Sequence, residues 1–190
     1  WGSPDETMDK NSEWVDAEGL VHASKVLSYD AEAGKAYCWR RAREGNLDVP
    51  GGKRNRCDES DVVTAQRECG EEIQLKGRLS ERLEKLGEEA EPSVVTVTPP
   101  GEAGKAVVLT LWVIEASIKE MADIQQTGEG KREGKAAGVR PLAELVEDAP
   151  YSEAILHAVA RLKTMSGGQA AAISSEDQGT ADEKVGEDEA

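Results

Sequence analysis

Apolar positions along this chain change their spacing several times, and the changes mark its elements. Strand-like runs over 23–29 and 35–41 flank Asp30-Ala31-Glu32-Ala33-Gly34, whose turn residues make the pair read as a hairpin. A short strand over 47–49 runs into Pro50-Gly51-Gly52. From 61 to 73 the spacing becomes helical, with Val62, Ala65, Cys69 and Ile73 forming one apolar stripe. Asp58, Ser60 and Asp61 offer capping and dipole-matched groups at its start. Leu79, Leu83 and Leu86 predict a short helix in a connector reaching Glu91. Strands follow over 94–98 and 106–116, separated by Pro99-Pro100-Gly101. Within 117–136, the polar, glycine-bearing run 125–135 reads as a surface loop. A strand over 137–140, a brief helix from Pro141 to Leu145 and a helix over 151–164 complete the series. Ile155, Leu156, Val159 and Leu162 are expected to face inward on that last helix. Hairpin, helix, further strands and a closing helix fit an α/β fold, a mixed-sheet α/β/α sandwich.

The chain is 190 residues long, enough for one sizeable core with tails. Its formal charge of −15 is unevenly spread, because residues 1–19 and 166–190 hold 13 of the 38 acids and 2 of the 23 bases. We therefore expect a loose acidic arm over 1–19, a domain over 20–165 and a disordered acidic tail over 166–190. The acidity argues against non-specific nucleic-acid binding, and no apolar run reaches membrane-span length. Cys38, Cys57 and Cys69 form no CxxC, which suits reduced thiols in an intracellular compartment and suggests neither a disulfide framework nor a zinc site. Cytosol, mitochondrion and peroxisome stay open.

Candidate chemistry gathers between Pro50 and Leu75. Glu68, Glu71 and Glu72 stand at i, i+3 and i+4, which share a helix face. An acidic stripe beside a Gly-Gly turn suits hard divalent cations held against phosphate. Arg40, Arg41, Arg43, Lys53, Arg54 and Arg56 make a basic flank in an acidic protein. Arg40, Arg41 and Arg54 are the candidates for binding an anionic substrate. Trp39 and Trp112 read as core, as does Cys69, and His22 and His157 as structural or surface residues.

This stretch resembles the signature of Nudix hydrolases, which cleave a pyrophosphate linked to a nucleoside. The pattern is G, five residues, E, seven residues, then R-E-U-x-E-E-x-G-U, with U bulky and apolar. Counting back from Arg67 places the upstream acid on Glu59 and the glycine position on Lys53, one past Gly52. The coenzyme A diphosphatase branch also sets its P-G-G-K-R one residue early, follows it with an acid where Asp58 stands, and carries T-A-x-R-E, here Thr64-Ala65-Gln66-Arg67-Glu68. That branch has an upstream element, roughly R-S-x-x-L-x-x-H-x-G-x-V-x-F. Here 40–49 keeps the Gly and apolar positions and lacks the Leu and His, which widens the substrate list. Gln74 replaces the pattern's Gly; a positive φ at that helix end is expected to cost on the order of 1 kcal/mol.

The resemblance implies the sandwich fold and a divalent-metal diphosphatase using Mg²⁺ or Mn²⁺. It implies Glu68, Glu71 and Glu72 as catalytic metal ligands, a backbone carbonyl at Gly51 or Gly52, and a supporting Glu59–Arg67 ion pair. The general base stays open among Glu68, Glu115, Glu120 and Glu129. Expected substrates are small nucleotide-type molecules: coenzyme A or acyl-coenzyme A first, then ADP-ribose, NADH or oxidised nucleotides. A non-catalytic nucleotide-binding module is the alternative, and the chain is expected to be a monomer or homodimer.

Overall fold

A computed structural model describes residues 12–98 and 104–162. The expected acidic tail over 166–190 and residues 1–11 of the arm lie outside the described residues. The strands are β1 (Val21–Asp30), β2 (Lys35–Arg41), β3 (Leu47–Asp48), β4 (Gly51–Lys53), β5 (Ile73–Gln74), β6 (Ser93–Val97), β7 (Val107–Glu115), β8 (Gln125–Gln126) and β9 (Gly134–Pro141). The helices are α1 (Asp61–Glu72), α2 (Arg78–Glu84), α3 (Leu86–Glu89), α4 (Ile118–Ala122), α5 (Gly128–Glu133), α6 (Leu142–Asp148) and α7 over 152–162. Among the described residues no helix is long and apolar enough to cross a membrane.

The main sheet runs β3-β2-β1-β7-β6, with β4 added to β1 and β9 to β2. β1 and β7 are parallel from Val21↔Val107 to Tyr29↔Glu115, and the other pairs are antiparallel. Alternation along β1 and β2 divides the core in two. Leu27, Tyr29 and Cys38 pack with Leu145, Ile155 and Val159 of α6 and α7. Val26, Tyr37 and Trp39 pack with Ala65 and Cys69 of α1. Helices therefore cover both faces of a mixed sheet, the α/β/α sandwich that the element order predicts. Leu156 is the exception on α7: Ile155, Ala158 and Val159 set the buried face, and Leu156, a helical step away, is 52% exposed.

The run 125–135 is not a loop. It forms β8, α5 and the start of β9, because the end of α1 needs partners for its last carbonyls. Thr127 N–H donates to the Glu72 carbonyl at 2.9 Å, and the Thr127 hydroxyl donates to the Glu71 carbonyl. The same hydroxyl caps α5 by accepting Gly130 N–H at 3.1 Å. A Cβ on Gly130 would strike the Glu72 carbonyl, so only glycine lets α5 lie this close to α1. Gln74 also departs from expectation. The helix ends with Ile73 in extended conformation (φ −136°, ψ 154°), and Gln74 continues it as β5 against Gln125. Ala136 is the non-glycine residue with positive φ among those described, so no left-handed cost falls on Gln74.

Helix α1 is fastened to the loop before it by a bidentate ion pair. Arg67 donates from Nε and Nη2 to the two carboxylate oxygens of Asp58, both at 2.8 Å. Asp58 also accepts the Asn55 N–H and the Thr64 hydroxyl, each at 3.0 Å. Glu59, the expected partner, is exposed, and the buried acid beside it takes the role. Burial pushes the Asp58 carboxyl up, but the Arg67 bond, the Asn55 N–H and the Thr64 hydroxyl outweigh it and hold it below the ordinary carboxylate range. A lowered folded pKa contributes stability that is complete above the unfolded value, about 4, and is lost as pH falls below it. Asp58→Asn should cost about 3 kcal/mol near neutral pH, since it strands Arg67. In urea denaturation its deficit should shrink between pH 5 and pH 3; a pH-independent deficit would contradict the assignment. Gly130→Ala should cost about 2 kcal/mol by overpacking, read from the same denaturation midpoint with an unchanged slope.

Candidate active site

Gly51 and Gly52 bring backbone against α1. Gly51 and Gly52 pair with Lys25 and Ser24 of β1, and Val26 N–H donates to the Pro50 carbonyl at 2.9 Å. Gly51 has φ +153°, and a side chain there would collide with the Ser24 carbonyl and Lys25. A Cβ on Gly52 would run into the Glu68 carboxylate. The paired glycines are therefore a steric requirement of seating the loop on the acids.

The three glutamates of α1 do not share one environment. Glu72 is 2% exposed, and its Oε1 accepts the Gly51 N–H at 3.3 Å. Glu68 is half-buried beside it, and its Oε1 accepts from Arg67 Nη1 at 3.0 Å. Glu71 lies on the rim, with a side chain 40% exposed, and accepts from the same Nη1 at 3.3 Å. Burial pushes the Glu72 carboxyl up to about 8; Glu68 and Glu133 push the same way, against Lys25 and the Gly51 N–H. Burial likewise raises Glu68, opposed by Arg67 and reinforced by Glu71 and Glu129. Burial pushes the Cys69 thiol up, as befits a core side chain.

Glu68 and Glu72 line one end of a cleft of about 420 Å³, and Glu71 does not line it. Glu129 and Glu133 of α5 enter the same end, and Lys25, Arg41 and Lys53 form its basic wall. The wall is anchored by a buried hub: Lys25 Nζ donates to Asp48 Oδ2 at 3.0 Å, Arg41 Nε lies 3.7 Å from that oxygen, and the Tyr151 hydroxyl donates to Asp48 Oδ1. The floor is apolar, made by Ala23, Val97, Val107 and Leu109.

Of the expected anion-binding residues, Arg41 faces the cleft, while Arg40 and Arg54 do not line it. Arg40 pairs with Asp148 at 3.3 Å and also donates to the Gly45 carbonyl. Arg54 pairs with Asp61 at 3.3 Å and donates to the Asp58 carbonyl, so it organises the loop. Among the candidate bases, Glu129 lines the cleft. Glu120 caps α4 and pairs with Arg78, which holds its carboxyl down at about 2, and Glu115 lies at the end of β7 beside Arg82. Lys25, Asp48, Glu133 and Tyr151 were not anticipated. Lys25 had a signal, being a lone cation inside an apolar strand; Glu133 stands four residues after Glu129, which matters only once α5 is known to be helical.

The donors present are hard carboxylate and carbonyl oxygens, and burial raises the Glu68 and Glu72 carboxyls. That chemistry fits a Mg²⁺- or Mn²⁺-type cation. Among the described residues, however, no three acidic, histidine or cysteine side chains stand together at metal-holding spacing. Arg67 Nη1 lies between Glu68 and Glu71 and accounts for part of that spread.

No family model matches the chain, and no curated protein matches it. Solved structures do. One is the Nudix domain of Shewanella oneidensis NrtR complexed with ADP ribose, 16% identical, covering 78% of this chain and 93% of that one with a TM-score of 0.52. Another is the Escherichia coli dihydroneopterin triphosphate pyrophosphohydrolase, 12% identical, covering 74% of this chain and 95% of that one with a TM-score of 0.53. At these identities the likeness speaks for the backbone arrangement, and the chain has the Nudix fold.

Proposed function

We propose that this chain is a divalent-metal-dependent hydrolase that cleaves the pyrophosphate of a nucleoside diphosphate linked to X. The observation that carries the reading is the Gly51-Gly52 backbone seated on Glu68 and Glu72, with Lys25, Arg41 and Lys53 lining the same cleft. Glu68, Glu71, Glu72 and the Gly52 carbonyl would hold Mg²⁺ or Mn²⁺. Bound there, the cation supplies charge neutralisation for the phosphate oxygens and a more acidic water. The protein's own groups do the rest. Lys25, Arg41 and Lys53 draw the diphosphate to the acidic end and hold its remaining charge. Gly51 N–H keeps the Glu72 carboxylate oriented. Glu68 or Glu129 accepts the proton as water attacks one phosphorus and the P–O–P bond breaks, giving a nucleoside monophosphate and a phosphorylated X.

Coenzyme A or an acyl derivative is the first substrate, from the resemblance around Pro50. ADP-ribose stands beside it, because the NrtR domain of similar fold was solved with ADP ribose. NADH and oxidised nucleotides complete the group. The apolar floor of Ala23, Val97, Val107 and Leu109 suits a base or another weakly polar X. A second reading, a nucleotide-binding module without turnover, draws on the spread of the acids and on Arg67 lying between Glu68 and Glu71. Its sign is tight nucleotide binding that survives removal of divalent cations.

The purified chain should hydrolyse at least one of coenzyme A, acetyl-coenzyme A, ADP-ribose, NADH and 8-oxo-dGTP with Mg²⁺ or Mn²⁺, with products identified by mass. Adenosine 3′,5′-diphosphate would establish the coenzyme A branch, AMP from ADP-ribose would set it aside, and no turnover would sink the enzyme reading. Glu72→Gln should lower turnover about a hundredfold. It should also melt no lower than the native chain in chelator, since burial already disfavours the charged carboxylate that the amide replaces. Near-native turnover would refute the ligand role.

A further inference from the structure

Residues 12–19, expected to belong to a loose arm, form with Leu20 a strap across the loop that carries Gly51 and Gly52. Trp14 N–H donates to the Arg54 carbonyl at 2.9 Å, and Arg56 N–H donates to the Ser12 carbonyl at 3.0 Å. Glu13 bridges to Asn55, its carboxylate 3.5 Å from Lys53 Nζ. Asp16 closes the turn back into β1, accepting the Glu18 and Leu20 N–H groups and meeting His22 Nε2 at 2.8 Å.

The Trp14 indole is the centre of this strap. The Arg54 guanidinium lies over its face, 3.9 Å from the ring centroid. The His22 ring meets it edge-on at 5.0 Å and 80°. Trp14 does not line the cleft. A continuous series of direct contacts nevertheless runs from it to the acids. Arg54 donates from Nε and Nη2 to the Asp58 carbonyl at 3.4 and 3.3 Å, and from Nη1 to Asp61 at 3.3 Å. Asp58 grips Arg67 with both carboxylate oxygens, and Arg67 Nη1 reaches Glu68 and Glu71. Arg67 Nη2 also donates to the Lys53 carbonyl at 3.2 Å, so the guanidinium touches loop and helix together.

We propose that Trp14 is a positioning residue for the acidic site. By holding Arg54 over its face it fixes the Asp58 carbonyl, hence the Arg67 fork, hence the seat of Glu68 against Gly52. An unrestrained Arg54 side chain carries several rotatable bonds, and an aromatic platform selects the rotamer that reaches Asp58 and Asp61. Its meaning for activity rests on the hydrolase reading; the positioning itself does not.

The test uses the full chain with Trp14→Ala and Trp14→Phe, the second keeping an aromatic face. Amide hydrogen exchange over 51–56 is compared with exchange over 107–115, and Mn²⁺ affinity is titrated by electron paramagnetic resonance. Trp14→Ala should speed exchange over 51–56 about tenfold, leave 107–115 unchanged, and weaken Mn²⁺ binding by about the same factor. Trp14→Phe should restore most of both. Unchanged exchange over 51–56 overturns the proposal, as does an equal rise over 107–115 or an Ala variant indistinguishable from Phe. A native chain that binds no Mn²⁺ and turns over nothing would sink the hydrolase reading alone, because exchange over 51–56 still decides the role of Trp14.

Discussion

The Asp58–Arg67 pair is the interaction on which the acid-lined cleft depends. Helix α1 carries Glu68, Glu71 and Glu72 within two turns, and like charges at that spacing repel. Arg67 offsets this locally by facing two ways, its Nε and Nη2 fixed on Asp58 and its Nη1 turned to Glu68 and Glu71. The geometry is bidentate and Asp58 is buried, so the pair is oriented as well as attractive. Burial would make either charge costly alone, which is why the Asn55 N–H and the Thr64 hydroxyl also converge on Asp58. Loop and helix are thereby held in one register, and the glycines can touch the acids without drifting.

A second constraint is set by backbone at the other end of α1. Its last carbonyls need donors, and Thr127 supplies two of them. Satisfying them draws α5 against the helix and carries Glu129 and Glu133 into the cleft. The cleft lining then holds five carboxylates, Asp48 among them, against Lys25, Arg41 and Lys53. Burial raises the Glu68 and Glu72 carboxyls against Arg67 and Lys25, and Glu129 and Glu133 add to that rise. A helix-ending requirement in the main chain thus becomes an electrostatic property of the site.

Much of this was legible in the order of residues. The hairpin, α1 and the long β7 announced themselves by period and by turn residues, and the acids of α1 by their fixed spacing. The parts that were hidden turn on burial or on partners distant in sequence. Asp58 and Glu59 are adjacent acids, and only the packing beneath Thr64 selects the first for Arg67. Arg54 looked like part of a basic rim, but Trp14 lies forty residues earlier, and its ring turns that guanidinium toward Asp58 and Asp61. α5 was obscured by Gly128 and Gly130, which usually signal a loop; here one of them is required by a carbonyl of another helix. Tyr151 enters the wall from the far end of the chain, to bond a carboxylate on β3.

With Arg40 and Arg54 engaged elsewhere, the basic wall of the cleft is Lys25, Arg41 and Lys53, and two of these share Asp48. Asp48 is buried with the Tyr151 hydroxyl and the Val49 N–H on one oxygen, so its carboxylate is a fixed point. Lys25 leans on that point and is also the strongest influence holding the Glu72 carboxyl down against burial. One ammonium therefore couples the wall that would meet phosphate to the acid that would hold a cation. In a cleft of low dielectric such coupling is stronger than it would be in water. Phosphate arriving at Lys25 would draw part of its charge from Glu72 and leave that carboxylate more dependent on a cation beside it. Substrate and metal would then favour each other's binding through a residue that belongs to neither the glycine turn nor the glutamate helix.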